Sequence, residues 1–490
     1  MYFIGIDLGT SALKLLLMEE SGRIENVVSE IYPVSFPQPG WSEQRPEDWL
    51  AALHRGIPRL CEGIPKKEIK GLSFGGQMHG LVILDDADRV IRPAILWNDG
   101  RTQAETDYLN EVVGRDKLSA CTANIAFAGF TAPKLLWLQK HEPENFRRIR
   151  KIMLPKDYLC YMLSGAFSTD FSDASGMLLL DVRNRRWSEE MLSVCGITRE
   201  MLPALHESYE AVGTLRPEIA EALGLSPQTI VAAGAGDNAA AAVGTGTVGA
   251  GHCNISLGTS GTIFISARDF TVDRQNALHA FCHADGHYHL MGCILSAASC
   301  NKWWMEEILR TQDFSAEQAD ISPEKLGRNP VFFLPYLMGE RSPLNDPAAR
   351  GAFLGMRMDT SRTELTQAVL EGVAFALRDC CEIARAQGID LRETMICGGG
   401  AKSPLWRKII ANVLNLRVHV PACEEGPGMG AAMLAMVACG IYPSTEAAAE
   451  AIVKIKSTEE PDPDLTARYN ERYQLFRKLY PALKEIFREM

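Results

Sequence analysis

The sequence predicts an α/β fold of two duplicated lobes facing one another across a cleft. Three observations carry this expectation. "GIDLGTSALKLLLMEESG" (5–22) is almost repeated by "NISLGTSGTIFIS" (254–266). Each copy begins as a β-meander and passes later into alternating strands and helices. The chain has 490 residues, more than one ordinary core organises.

The elements follow in order. "YFIGID", "ALKLLLM" and "IENVVSEI" read as three strands joined by the turns "LGTS" and "EESGR". "IKGLSF" and "QTIVAA" are further strands of the first half. In the second half "HCNISL" and "TIFISA" flank "GTSG", repeating the first hairpin. "TELTQAVLEGVAFALRDCCEIARAQG" has apolar residues at helical spacing, and it leads into the strand "TMICGG" and the helix "SPLWRKIIANVLN". "GPGMGAAMLAMVACGIYP" (426–443) is greasy but broken by Gly and Pro, so a buried helix is expected and not a membrane span. Glycine is dense over 244–251, which sets the expected boundary: lobes 1–245 and 246–490. A duplication this long is not a solenoid.

Composition excludes several classes. Apolar residues make up 46 % and charged residues 23 %, ordinary for a globular chain. The 50 basic and 61 acidic residues leave a net charge of −11, which disfavours nucleic acid and anionic membranes as partners. No leader-like start is visible. The 13 cysteines are scattered, odd in number and without CxxC spacing, so reduced thiols in a cytoplasm are expected.

A tight Gly-Thr-Ser turn exposes backbone N–H groups and hydroxyls, a nest for phosphate oxygens. One such turn is an ordinary hairpin. Two, one per lobe, can clamp a polyphosphate, which points to Thr10 and Ser11 on one side and Gly258 and Thr259 on the other. Asp7 precedes the first turn where Ser256 precedes the second, because one side alone needs a carboxylate for Mg²⁺. "CGGGAKSPLW" (397–406) follows a strand and opens a helix; Gly398, Gly399, Gly400 and Ala401 let a flat ring or a phosphate approach the backbone. It lacks the ending of a P-loop.

"TIVAAGAGDNAAAAVG" (229–244) mimics a dinucleotide fingerprint, but Asp237 would face a pyrophosphate and no acid follows about twenty positions on. Asp237 is either a helix N-cap or a base held on a rigid turn before a helix. "GGQMHG" (75–80) and "LWNDGR" (96–101) each follow an apolar run. His79, Asn98, Asp99 and Arg101 there offer donors and acceptors and Trp97 a flat apolar face, a mixture that suits a polyol. "GLSFG" (71–75) matches a hydrolase elbow, yet Ser73 lies inside a strand-like run. "HAFCHADGHYHLMGC" (279–293) reads as a hairpin turning at Asp285-Gly286 and not as a zinc site.

Together these segments resemble the FGGY family of carbohydrate kinases, within the actin, hexokinase and heat-shock-chaperone ATPase superfamily. The resemblance covers essentially the whole chain. "GFTAPKLLWLQKH" (129–141) and "GAFLGMRMDTSRTELTQAVLE" (351–371) resemble the family's two signature segments. "GQMHG", "RPAILWNDGR", "LPKDYL", "SDASG", "AGDNAAAAVG", "SLGTSG" and "FLPYLMGERSP" add to the likeness. It implies two actin/hexokinase-like (ribonuclease H-like) lobes, the first binding sugar and the second nucleotide. It implies ATP and Mg²⁺, and phosphorylation of D-xylulose at its terminal hydroxyl. Asp237 is then the base and a second metal contact beside Asp7, with Met78 and His79 near the sugar. Gly258 and Thr259 lie on phosphate, and the Gly398 to Ala401 turn lies near adenosine. Because the proton leaves late in a loose phosphoryl transfer, an ordinary low pKa suffices for Asp237. Sister kinases of ribulose, glycerol or gluconate remain open, as do a non-catalytic sensor and a homodimer.

Overall fold

The first lobe, in the computed structural model that describes all 490 residues, is built on the meander read from the sequence. Strands β1 (Tyr2–Leu8), β2 (Ala12–Glu19) and β3 (Ile24–Ile31) pair antiparallel. Helix α1 (Pro46–Leu60) covers one face with Trp49, Leu53 and Ile57. Strand β4 (Ile69–Gly76) joins β1 in parallel, with Asp7 level with Gly75. Helix α2 (Thr131–His141) follows, then β5 (Ala211–Thr214), β6 (Ile230–Ala232) and the short β7 (Ala235–Gly236). The sheet order is β5-β6-β4-β1-β2-β3, with β7 continuing along β4. Helix α3 (Asp237–Gly244) starts directly from β7.

The second lobe repeats the plan. Strands β8 (His252–Leu257) and β9 (Gly261–Ala267) form the second Gly-Thr-Ser hairpin. Strands β10 (His279–Cys282) and β11 (Tyr288–Ile294) form the next hairpin, closed by the His283 carbonyl and amide around Asp285 and Gly286. Helix α4 (Arg362–Ala386) begins at a capping box in which Ser361 and Glu364 satisfy each other's backbone N–H. It is followed by β12 (Glu393–Cys397), α5 (Pro404–Leu414), β13 (Arg417–Pro421), α6 (Gly426–Ala438), β14 (Ile455–Glu459) and α7 (Pro463–Glu489). The order is β10-β11-β9-β8-β12-β13-β14, with β12 parallel to both β8 and β13.

The lobes meet where α3 and α6 cross. The two helices carry small residues at their crossing, so their backbones touch. A Cβ on Gly244 would lie 2.0 Å from the Gly426 oxygen, and one on Gly5 would lie 1.9 Å from the Gly428 oxygen. Met429, Met433 and Leu434 of α6 share a core with Phe3, Leu16 and Met18 of the first sheet. Residues of 78–202 likewise share a core with 253–487. Packing therefore does not divide where the chain turns at 245–251. Helix α6 is apolar on every side because first-lobe strands cover the face its own lobe leaves open.

No helix is long and apolar enough to cross a membrane. All 13 cysteines are free thiols. Ser73 is fully buried in β4 and its hydroxyl has no partner, so it is no nucleophile.

Candidate active site

The ends of β1, β4 and β7 bring the first-lobe polar residues together. Asp7 closes β1, Met78 and His79 follow β4, and Asp237 opens α3 directly after β7. Asp237 Oδ1 accepts from the Asn238 amide (2.7 Å) and from Asn238 Nδ2 (3.1 Å), which leaves Oδ2 free. Burial pushes Asp237 up to about 7, with the Asp7 charge adding to the rise. This departs from the low value the sequence suggested. The helix N-terminus favours the anion, but desolvation and a second carboxylate outweigh it. Burial also pushes Asp7 up to about 6, opposed by Lys14 and helped by Glu425.

His79 sits in the left-handed region at φ 66°, a strained conformation for a non-glycine residue. Its Nδ1 donates to the Gly176 carbonyl (2.8 Å), so in the neutral ring Nε2 is an acceptor. Burial holds its pKa down at about 3. The ring stacks on Phe130 at 4.6 Å. Gly176 has to be glycine, because a Cβ there would meet His79 Nδ1 at 2.4 Å. Behind the ring, Lys134 Nζ donates to the carbonyls of His79 (2.7 Å) and Gly129 (2.8 Å). Met78 is buried against Asn238, whose Nδ2 lies 3.9 Å from its sulfur.

The first turn is braced. Thr10 Oγ1 donates to Gln77 and accepts from Trp97 Nε1 at 3.0 Å. Gln44 Nε2 donates to the Thr10 carbonyl at 2.6 Å. The Trp97 ring is 47 % exposed over this turn, and Ser11 and Asn98 are exposed beside it.

Asp99 and Arg101 do different work from the sugar contact the sequence suggested. Asp99 accepts from the Ser42 amide (2.6 Å) and from Arg101 Nε and Nη2 (2.8 and 2.7 Å). Arg101 also pairs with Glu43 and lies 3.7 Å over the Trp41 ring. Both oxygens of Asp99 are thus occupied inside the protein, and the pair anchors the loop that presents Trp97.

In the second lobe a cavity of about 900 Å³ is lined by Gly258, Thr259, Ser299, Lys302, Gly399 and Gly400, among others. Both predicted turns therefore border one space. Gly398, at φ 87°, packs on the Leu257 backbone, and Ala401 is buried; these two shape the turn from beneath. The Gly258 and Thr259 carbonyls accept from the amides of Ala298 (2.8 Å) and Ala297 (2.9 Å), which fixes the turn to the short helix Ala298–Trp303.

Sequence reasoning passed over Asn238, Gln77, Phe130 and Lys134. Asn238 was legible, being adjacent to Asp237. Lys134 was quoted only as part of a signature segment. The sequence placed His279 and Phe281 in a hairpin without giving them a role; their rings on β10 bring the second lobe up to the His79 wall.

A first-lobe carboxylate with one free oxygen and a cavity of about 900 Å³ between second-lobe turns fit a two-lobed phosphotransferase. The chain belongs to the FGGY family of carbohydrate kinases: the N-terminal domain model matches residues 2–244 and the C-terminal domain model residues 253–439. A xylulose kinase of Escherichia coli K12 is 43 % identical over 98 % of this chain and 99 % of that protein. The crystal structure of a xylulose kinase from Brucella ovis has a TM-score of 0.90 at 41 % identity, covering 99 % of this chain and 100 % of that one. A gluconate kinase from Lactobacillus acidophilus has a TM-score of 0.92 at 26 % identity, covering 98 % of each chain. The fold is that of a sugar kinase, and the protein is an enzyme.

Proposed function

We propose that this enzyme transfers the terminal phosphoryl group of ATP to the terminal hydroxyl of D-xylulose, releasing D-xylulose 5-phosphate, ADP and a proton. The observation that carries the reading is the juxtaposition of Asp237 with the Met78–His79 wall. The carboxylate keeps one free oxygen, Asn238 beside it reaches Met78, and His79 keeps Nε2 as an acceptor, a set that suits a small sugar. The xylulose kinase relatives support the choice of sugar.

Phosphoryl transfer of this kind is catalysed by positioning and charge neutralisation. Asp237 orients the sugar hydroxyl and takes its proton. Its pKa near 7 matches a base at neutral pH. The neutral His79 accepts a hydroxyl at Nε2 and leaves Gly176 to fix its ring. Ser11 and Thr259 offer hydroxyl donors to phosphate oxygens on turns shaped by Thr10 and Gly258, whose hydroxyl and amide are bonded to Gln77 and Ser260, and Gly399 and Gly400 leave room for the base and ribose.

The donor set fits Mg²⁺. The Asp7 charge helps raise the pKa of Asp237 beside it in the first lobe, and Lys14 is the one cation acting on Asp7. These two carboxylates would hold the ion, which when bound neutralises phosphate charge. We place the reaction in the cytoplasm, where free thiols persist.

The test is ADP release with a panel of ketoses, polyols and aldonates. D-xylulose is expected to give the highest kcat/KM. A preference of about tenfold or more for D-ribulose, glycerol or gluconate, roughly 1.4 kcal/mol of discrimination, overturns the assignment.

A further inference from the structure

Arg341 lies in the second-lobe loop "GERSP" (339–343), outside every residue assigned above. Its guanidinium sits over the Phe127 ring, 5.4 Å from the centroid. Phe127 contacts the rings of His279 (5.0 Å) and Phe130 (5.5 Å), and Phe130 stacks on His79. Arg341 therefore borders the wall that carries the sugar-facing histidine, although it comes from the opposite lobe.

The side chain is half-buried and has no partner of its own. Neighbouring Glu340 is turned away: its Oε1 accepts the amides of Leu295 and Arg341, both at 2.8 Å. The guanidinium thus offers five N–H donors to a region with no protein acceptor. The side chain is partly open to solvent, so these donors are free to turn to an oxygen-rich ligand.

Position along the cleft is also readable. The Arg341 charge helps hold His79 and His279 at their low pKa values, behind the larger effect of burial. Asp237 is bonded to Asn238, which reaches Met78, whereas Arg341 reaches Phe127 and, through Phe130, His79. By these contacts Arg341 stands on the His79 side of the site, while Asp237 stands on the Met78 side.

We propose that Arg341 donates hydrogen bonds to the sugar oxygens at the end remote from the transferred phosphoryl group, and so selects acceptors long enough to reach it. This rests on the sugar-kinase reading above. A site built to bond such oxygens rejects acceptors that lack them, because its donors are then left unpaired.

The test compares R341A and R341M with the wild type on D-xylulose and on glycerol, which is too short to have the remote end. R341M keeps the aliphatic stem on Phe127 while removing the donors, so the question stays answerable if R341A fails to fold. For either variant, KM for D-xylulose is expected to rise about tenfold or more, with KM for ATP within about twofold. The kcat/KM on glycerol should fall far less, so the D-xylulose to glycerol ratio drops about tenfold. Wild-type KM in R341M, or equal losses on the two acceptors, overturns the proposal. If the wild type prefers another long sugar, the D-xylulose reading falls, and the same ratio taken with that sugar still decides Arg341. If glycerol is the best acceptor, both readings fall.

Discussion

Gly430 of α6 and Ala240 of α3 meet backbone to backbone: a Cβ on Gly430 would lie 1.8 Å from the Ala240 carbonyl oxygen. The two lobes are joined at a contact with no room for a single methyl group. That contact sets the angle at which the first-lobe carboxylates face the second-lobe cavity.

Gly430→Ala is therefore expected to cost at least about 3 kcal/mol, the top of the usual range for overpacking, since backbone atoms have to move. Gly213→Ala, where a Cβ would meet only Ser164 Cβ at 3.8 Å, is the control and should change stability by less than about 0.5 kcal/mol. Thermal melts of both variants decide the matter. A Gly430→Ala melt equal to wild type contradicts the contact.

Asp237→Asn keeps size and the Asn238 bonds but cannot take a proton. Its kcat is expected to fall about 10²–10⁴-fold, with ATP affinity by calorimetry little changed. Asp7→Asn should in addition raise the Mg²⁺ concentration for half-maximal rate. Retention of more than about a tenth of wild-type kcat in Asp237→Asn, with an intact circular dichroism spectrum, removes Asp237 as base. Asp99, with both oxygens bound inside the protein, is not the substitute.

Gly399 lines the second-lobe cavity and has nothing within 4 Å of a built Cβ. Gly399→Leu should leave the melting temperature unchanged while filling the cavity. KM for ATP is expected to rise about tenfold or more with the sugar KM unaffected. A shift in the sugar KM alone would place the nucleotide elsewhere.

His289 is buried, stacks on Phe264 at 3.9 Å and has no partner at either ring nitrogen. Burial holds its pKa well below 6.5. The unfolded chain then binds a proton that the folded one does not, so this group's contribution is lost as pH falls below about 6.5. His79 and His279, at about 3, act in the same sense. Asp7, Asp237 and Glu340, with raised pKa values, tilt stability the other way. The difference between proteins isolates the histidine: His289→Phe should lose less melting temperature than wild type between pH 7 and pH 5. Parallel curves would show that His289 is charged in the fold.

The sequence by itself determined the local structure and where the first-lobe candidates lie along the chain. The repeated hairpins, the long helix α4 with its capping box, and Asp237 at a strand-to-helix turn all follow from patterns a few residues long. Strand alternation, capping and tight turns are decided by neighbours in the chain, so they are legible without the fold. What faces what was decided only by the tertiary structure. The spacing of "LWNDGR" cannot say that Asp99 turns inward to Arg101 while Trp97 stays out over Thr10, since Glu43, Trp41 and Ser42 come from another segment. The greasiness of α6 announces burial but not its partner, which proves to be the first lobe. Arg341 falls inside "FLPYLMGERSP", but nothing local gives it a role, because its meaning lies in Phe127 and His279, which come from a first-lobe loop and from β10 of its own lobe. Burial and charge are sums over neighbours distant in sequence, and only the folded chain carries out that sum.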